Sequence, residues 1–532
     1  MKKALSLLIV LTMLVGMISA MSISTSAAAW DGVAATGFAG GNGSQNDPYQ
    51  IATPGQWAYF AKQCESGTNF SGKYIVLEND LTFNEGDATT WGETAPANTL
   101  IPVGLDDGAN KMFAGNFDGK GHTISGVYMN GYKSDANMDG IGLFGCSNGA
   151  TVKNFVLKNS YFIAEDWAGC VVGEAWVKND GSNTTTIQNV YVCEDVTMES
   201  KQSDRNKSAA TAGFVGGMYG GDVTVSFSNC VFAGTVTAIT TSVGGFVGNG
   251  NYKTIVLENC MMLGSVSGSG TASGFVGLNN QKSDKSVAGT TTLTNCIYAG
   301  SEYRNFPFGT FAPYTYEDET YFTIENCYTT TAENENAYNS NGSVKPEAED
   351  SGVTSIELLD LIGSDAIAVD GYTKRANDIM VPSGVASFAP STTDKYSSKY
   401  TVTWKDEDGT ILATEEYEIG EVPTFKGEEP TKEGDETYNY TFSGWTPSVV
   451  AVSGDAEYTA KFVKVRNIVA EEEEDETTKK APATTTAPVT TAPTTTAPAT
   501  EEGGCGSVIG GGILMLALLA GGATVVCKKK ED

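Results

Sequence analysis

A four-residue phrase of glycine, two apolar residues and glycine recurs through the middle of this chain. It reads GLFG at Gly142 to Gly145 and GFVG at Gly213 to Gly216, Gly245 to Gly248 and Gly274 to Gly277. Each copy leads into a Thr/Val-rich run that reaches an asparagine and then an apolar residue or cysteine. The asparagines are Asn154, Asn189, Asn229, Asn259, Asn295 and Asn326, separated by 35, 40, 30, 36 and 31 residues. That loose period marks stacked repeats, none of which buries its apolar side without its neighbours. One unit, Gly213 to Ile239, reads as three short runs rich in β-branched and aromatic residues, divided by Gly, Asn and Ser and too short for helices. Three strands per unit, each returning to the same place in the next unit, describe an all-β chain wound as a parallel β-helix. Its coils should lie about 4.8 Å apart.

The slot after each asparagine holds Phe155, Val190, Cys230, Cys260, Cys296 and Cys327. A position that accepts Phe, Val and Cys alike is expected to be a buried packing position, with cysteine acting as a small apolar residue. Disulfides between adjacent coils are the competing reading, since an exported location permits them and the coil spacing does not forbid them. A metal site fits less well, because these cysteines come singly without CxxC pairing. The asparagines are expected to stack as an amide ladder at a corner of the coil.

Around this centre the chain divides in order. Residues 1–29 read as a secretory signal, with Lys2 and Lys3, an apolar core from Leu5 to Met17, and Ala27 to Ala29 as a small-residue cleavage site. Residues 30–390 form the solenoid. Near its start, Thr53 with Gln56 three residues on and Pro54 between them make a capping box. Trp57, Phe60, Ala61 and Cys64 then recur on one face, which predicts a helix covering the first coil. SIELLDLIG (Ser355 to Gly363) predicts a second capping helix with Ile356, Leu359 and Ile362 inward, so that residues 352 to 385 close the far end. Ser/Thr-rich residues 391 to 398 read as a linker. Residues 398–465 form a separate module with a hairpin turn at Asp408-Gly409, in which Trp404 and Trp445 are expected in the core rather than as sugar platforms. Residues 466–504, an acidic run followed by Thr/Pro repetition, cannot fold and form an extended, disordered stalk. Residues 505–532 hold 19 uncharged residues, Val508 to Val526, before Lys528 to Lys530, a pattern that predicts a transmembrane anchor helix with the lysines inside.

The GLFG and GFVG repeats follow an opening, GGNGSQNDPYQI, and the phrase FAGNFDGKGHTISGV (Phe113 to Val127). In that combination the chain, over about residues 40 to 385, resembles the GLUG-motif repeat proteins of bacterial cell surfaces. The resemblance implies a right-handed β-helix on an exported, often adhesin-like protein and implies no single activity. The second repeat, AGCVVGEA (Ala168 to Ala175), departs from the pattern by what reads as an extra residue. The sixth keeps only FGTF (Phe308 to Phe311). Residues 398–465 are similar to the Listeria-Bacteroides repeat of internalin-like surface proteins, which implies a small β-grasp fold.

The formal charge is −31, which argues against nucleic acid as a partner. The chain holds one histidine, His122, so an HExxH zinc site is excluded and a Ser-His-Asp site would depend on a residue inside a coil-forming phrase. Asp118, Asp135, Asp139, Glu165, Asp166 and Glu174 are the nearest approach to a carboxylate cluster. They leave open a polysaccharide lyase or glycoside hydrolase, or a calcium site, which no DxDxDG loop supports. The favoured expectation needs no cofactor: a non-enzymatic surface protein, anchored in the cytoplasmic membrane, whose partner is an extracellular glycan or protein.

Overall fold

The computed structural model describes residues 30–105, 110–131, 140–201, 210–239, 242–280, 289–300, 308–312, 322–330, 336–340, 343–347, 353–393, 395–396, 399–452 and 454–467. The signal segment, the stalk, the apolar C-terminal run, Asp135 and Asp139 lie outside these residues. Through the repeats, each strand pairs in parallel with the strand one repeat later. Val172 lies between Phe144 and Val215, Val215 pairs with Val247, and Val247 with Val276. The coils thus stack as rungs of one column. Tyr128–Asn130, Ser160–Ala164, Val196–Ser200, Thr235–Ala238 and Ser265–Gly268 form a second parallel sheet, and Ala168–Gly169, Ala210–Ala212, Ser242–Gly244 and Ala272–Ser273 a third. Parallel ladders suit this chain because most inward positions are apolar and the sheets enclose them.

The glycine phrases work by close approach. A Cβ on Gly248 would lie 2.6 Å from Gly216 O, and on Gly277 2.6 Å from a Val243 backbone carbon, so only glycine lets two parts of the coil meet. The phenylalanine inside each phrase faces the core. Phe214, Phe246, Phe275 and Phe308 stack at centroid distances of 4.7, 5.0 and 5.5 Å. The second repeat carries no extra residue: Leu143 and Phe144 donate to Cys170 O and Val171 O, so Cys170-Val171-Val172-Gly173 takes the place of GFVG with cysteine for the first glycine. The sixth repeat does lose register, with a shift between Val276 and Asn279, although Phe308 stays on the stack.

The helix Pro54–Glu65 starts with the predicted capping box, Thr53 Oγ1 accepting from Gln56 N and Gln56 Oε1 accepting from Thr53 N at 3.1 Å. Trp57 packs edge-on against Phe117 and Phe144, covering the apolar end of the first coils. The far segment behaves otherwise than expected. Val353–Ser355 adds a last parallel rung to Cys327–Thr329, and Leu358–Leu361 is a short 3-10 turn that buries Leu361 while Leu359 is 44% exposed. A 3-10 turn repeats every three residues, which moves the inward position off the helical spacing.

From there the chain does not cap the column but doubles back along it. Tyr372 Oη donates to Cys260 O at 2.8 Å, Gly371 lies against Asn259, Gly384 against Asn189 and Asn229, and Phe388 against Gly121. Buried Asp378 fastens this strap, accepting from Arg375 Nη2 at 2.7 Å and from Thr392 Oγ1 at 2.6 Å and N at 3.1 Å. Ser391 and Thr392 therefore belong to the column rather than to a linker, as does Tyr396, which is buried in the same core.

The terminal module is a four-stranded mixed sheet. Two antiparallel hairpin pairs, Lys399–Lys405 with Ile411–Glu418 and Tyr438–Thr446 with Ala456–Arg466, are joined by a parallel central pair. An irregular crossover from Ile419 to Thr437 connects them. Trp404 is fully buried, 4.6 Å from the Trp445 ring and 5.0 Å from that of Tyr458.

The corner asparagines give the first test. All six adopt φ between 51° and 61°, a region that penalises Ala by about 1–2 kcal/mol. Asn229→Ala should lower stability by about 2–3 kcal/mol, from strain plus the lost amide bond. Asn229→Gly should cost roughly 1 kcal/mol less. Urea midpoints followed by circular dichroism check the order, and Gly as costly as Ala would remove the backbone argument.

Candidate functional site

The residues that carry the repeat meet along one edge of the column. Asn154 Nδ2 donates to Asp118 Oδ1 at 2.9 Å, Asn189 to Asn154 Oδ1 at 2.8 Å, and Asn229 to Asn189 Oδ1 at 3.1 Å. The same link joins Asn295 to Asn259 Oδ1 at 3.3 Å. Each of these four amides donates to the coil before it, and Asn154 and Asn189 also accept through Oδ1, which uses both ends of the side chain. Asn326 shares the backbone conformation, at φ 52°. Behind the amides, Phe155, Val190, Cys230, Cys260, Cys296 and Cys327 are all fully buried. The four cysteines are free thiols, with Cys296 N donating to Cys327 Sγ at 3.3 Å. This arrangement is packing, not a binding site.

Burial sets the thiol chemistry. Desolvation pushes Cys64 from the ordinary 9.0 up to about 12 and moves Cys170, Cys193, Cys260 and Cys327 in the same direction. Burial keeps these five thiols neutral, and buried neutral thiols are inert.

His122 Nδ1 lies 3.0 Å from Asp80 Oδ1, which also accepts from Thr123 N at 2.9 Å. It fastens one coil to the next. Asp118 is occupied at the end of the amide ladder and pairs with Lys153 at 3.6 Å. Glu165 and Asp166 are half-buried and Glu174 is 3% exposed. Glu174 shares a rung with Cys146 and Gly217, so the structure separates it from Asp118, which pairs with Lys153 on another strand row. Among the described residues no group of three His, Cys, Asp or Glu side chains is placed to hold a metal ion.

Two features escaped the sequence. The first is a cleft of about 420 Å³ at the helix end, lined by Trp30, Asn84, Glu85, Asp87, Trp91 and Asn98 among others. Its polar groups are largely engaged. Asn84 Nδ2 donates to Gly126 O at 2.9 Å and Asn98 Nδ2 to Trp30 O at 2.6 Å. Bonds from the Thr89 hydroxyl and amide hold Asp87 below the usual carboxylate range. Trp91 packs with Tyr128 and Tyr161 against the second sheet. The second is a partly exposed aromatic stripe, in which Trp176 shares a rung with Tyr219 and Tyr252 sits on the next coil. No periodic phrase marks these residues, because they lie in the segments of variable length between the glycine phrase and the Thr-rich strand.

No family model matches the chain. Halomucin from Haloquadratum walsbyi is 32% identical over 182 residues, 33% of this chain and 2% of that protein. A protein of Evansella cellulosilytica, provisionally described as a Gly-rich membrane protein, is 31% identical over 157 residues, 29% of this chain and 15% of that protein. The chain thus spans only a small part of the length of these relatives. Among solved structures, a Bacteroides ovatus protein provisionally described as an immunoglobulin A1 protease covers 65% of this chain and 95% of its own, at 19% identity and a TM-score of 0.40.

The thiols give two linked expectations. Under native, non-reducing conditions the eight described cysteines should resist iodoacetamide. All eight should label after unfolding without reductant, as mapped by mass spectrometry; protection that persists would mean disulfides. Because the folded state keeps the Cys64 proton where the unfolded state has lost it, its contribution is intact below pH 9.0 and is lost towards about 12. Urea midpoints should therefore fall over that window.

Proposed function

We propose that this chain is a non-enzymatic, adhesin-like binding protein of a bacterial surface, built on a right-handed β-helix of the GLUG-repeat kind. In this reading residues 1–29 direct export, Val508 to Val526 hold the protein in the cytoplasmic membrane, and the Thr/Pro-rich stalk and the 398–465 module set the column away from it. Among the described residues no helix is long and apolar enough to cross a membrane; the proposed anchor lies beyond them.

The observation that carries the reading is the outer face of the long sheet. Thr184, Thr224, Thr254 and Thr290 fall in one row, and Thr151, Thr186, Ser226, Val256, Thr292 and Thr323 in another. Thr290 Oγ1 donates to Thr254 Oγ1 at 3.1 Å. A rigid surface that presents at least one of these hydroxyls on each of six coils suits an extended ligand with repeating groups. The overlap with a protein whose name places it in a membrane supports a place at the cell surface.

A glycan array and a polysaccharide-cleavage screen on the purified full chain test this. Binding without release of reducing ends is the expected result. Release that disappears in Glu174→Gln or Glu165→Gln would replace the reading with a polysaccharide lyase or glycoside hydrolase.

A further inference from the structure

Beside the hydroxyl rows runs a stripe of aromatic side chains on three successive coils. Trp176 and Tyr219 are register partners, and in-register neighbours in a parallel sheet project to the same face. The loop carrying Tyr252 is tied to the same place, since Asn251 Nδ2 donates to Met218 O at 3.2 Å and Lys253 Nζ to Gly220 O at 2.8 Å. Tyr219 is 51% exposed, and Trp176 and Tyr252 are half-buried. Asn251 and Tyr252 both hold positive φ, 46° and 57°, and a tyrosine rarely adopts that backbone unless its surroundings impose it. Lys253 Nζ lies 4.4 Å from the centre of the Tyr252 ring.

Ring faces next to hydroxyls and amides are the chemistry that recognises a pyranose: the sugar's C–H face lies on the aromatic ring while its hydroxyls bond to polar groups at the margin. Thr184, Thr224 and Thr254 form an in-register row on the strands that follow each aromatic residue. The coil spacing of about 4.8 Å is close to the length of one sugar unit in an extended chain. A linear polymer lying along the column axis therefore meets equivalent groups at each unit. The net charge of −31 opposes a polyanion. We propose that Trp176, Tyr219 and Tyr252 form the binding platform for a neutral, extended polysaccharide aligned with the column axis. The proposal rests on the reading of the chain as a surface binding protein and names its site and ligand class.

Native affinity electrophoresis of the full chain, in gels containing hydroxyethylcellulose, galactomannan, arabinoxylan or polygalacturonate, tests it. At least one neutral polymer should retard the protein, and polygalacturonate should not. Tyr219→Ala should weaken that retardation about tenfold, and Trp176→Ala with Tyr219→Ala should abolish it. Tyr219→Phe should retain most of it, and Val463→Ala on the terminal module should leave it unchanged. Circular dichroism melts confirm that the variants fold. Full retardation of the folded double variant would overturn the platform while leaving a surface binding protein standing. Retardation by polygalacturonate alone, or by none of the four polymers, would overturn the ligand class.

Discussion

The column depends on an asparagine held in a left-handed backbone conformation at the same corner of six coils. That conformation turns the chain sharply, and asparagine is among the few residues beside glycine that tolerate it. Its side chain then does what glycine could not, reaching back to the preceding coil: Asn154, Asn189 and Asn229 each donate one amide hydrogen to the residue before. The turn that winds the coil and the bond that ties it to its neighbour come from one residue. Glycine-bracketed phrases on another side let the backbones approach, and stacked Phe214, Phe246, Phe275 and Phe308 fill the space between.

A ladder of amides at the surface would exchange its bonds with water. Here the returning strap covers it, with Gly371 and Gly384 placed where an added side chain would strike Asn259 and Asn189. The strap ties late coils to early ones, for instance through Tyr372 and Cys260. A solenoid is normally stabilised by nearest neighbours alone. A lengthwise brace adds contacts between repeats that otherwise never meet.

What the sequence made legible follows from where the information is stored. The repeat period, the corner asparagines, the burial of the slot after them and the capping box at Thr53 and Gln56 are local or strictly periodic, so residue types reveal them. The strap is neither. Tyr372 and Cys260 stand 112 residues apart, and no pattern in SIELLDLIG or its sequel announces a return along the column. The second repeat misled because Cys170 stands where glycine does elsewhere, so the phrase reads as lengthened although its register is intact. Trp176 and Tyr219 become neighbours only once coils of unequal length are set in register. Asp118 and Glu174, close in sequence, lie on different rows because each coil spends about thirty residues or more returning to the same edge.

The corner asparagines are therefore cooperative rather than independent. Residue-resolved amide hydrogen exchange tests this most directly at the backbone N–H groups of Asn229, Asn259 and Asn295, which donate to Glu258, Thr294 and Glu325 on the following coil. The account predicts that all three open with one common free energy, equal to that of the column as a whole. Three unrelated rates, each as fast as an exposed loop, would contradict it.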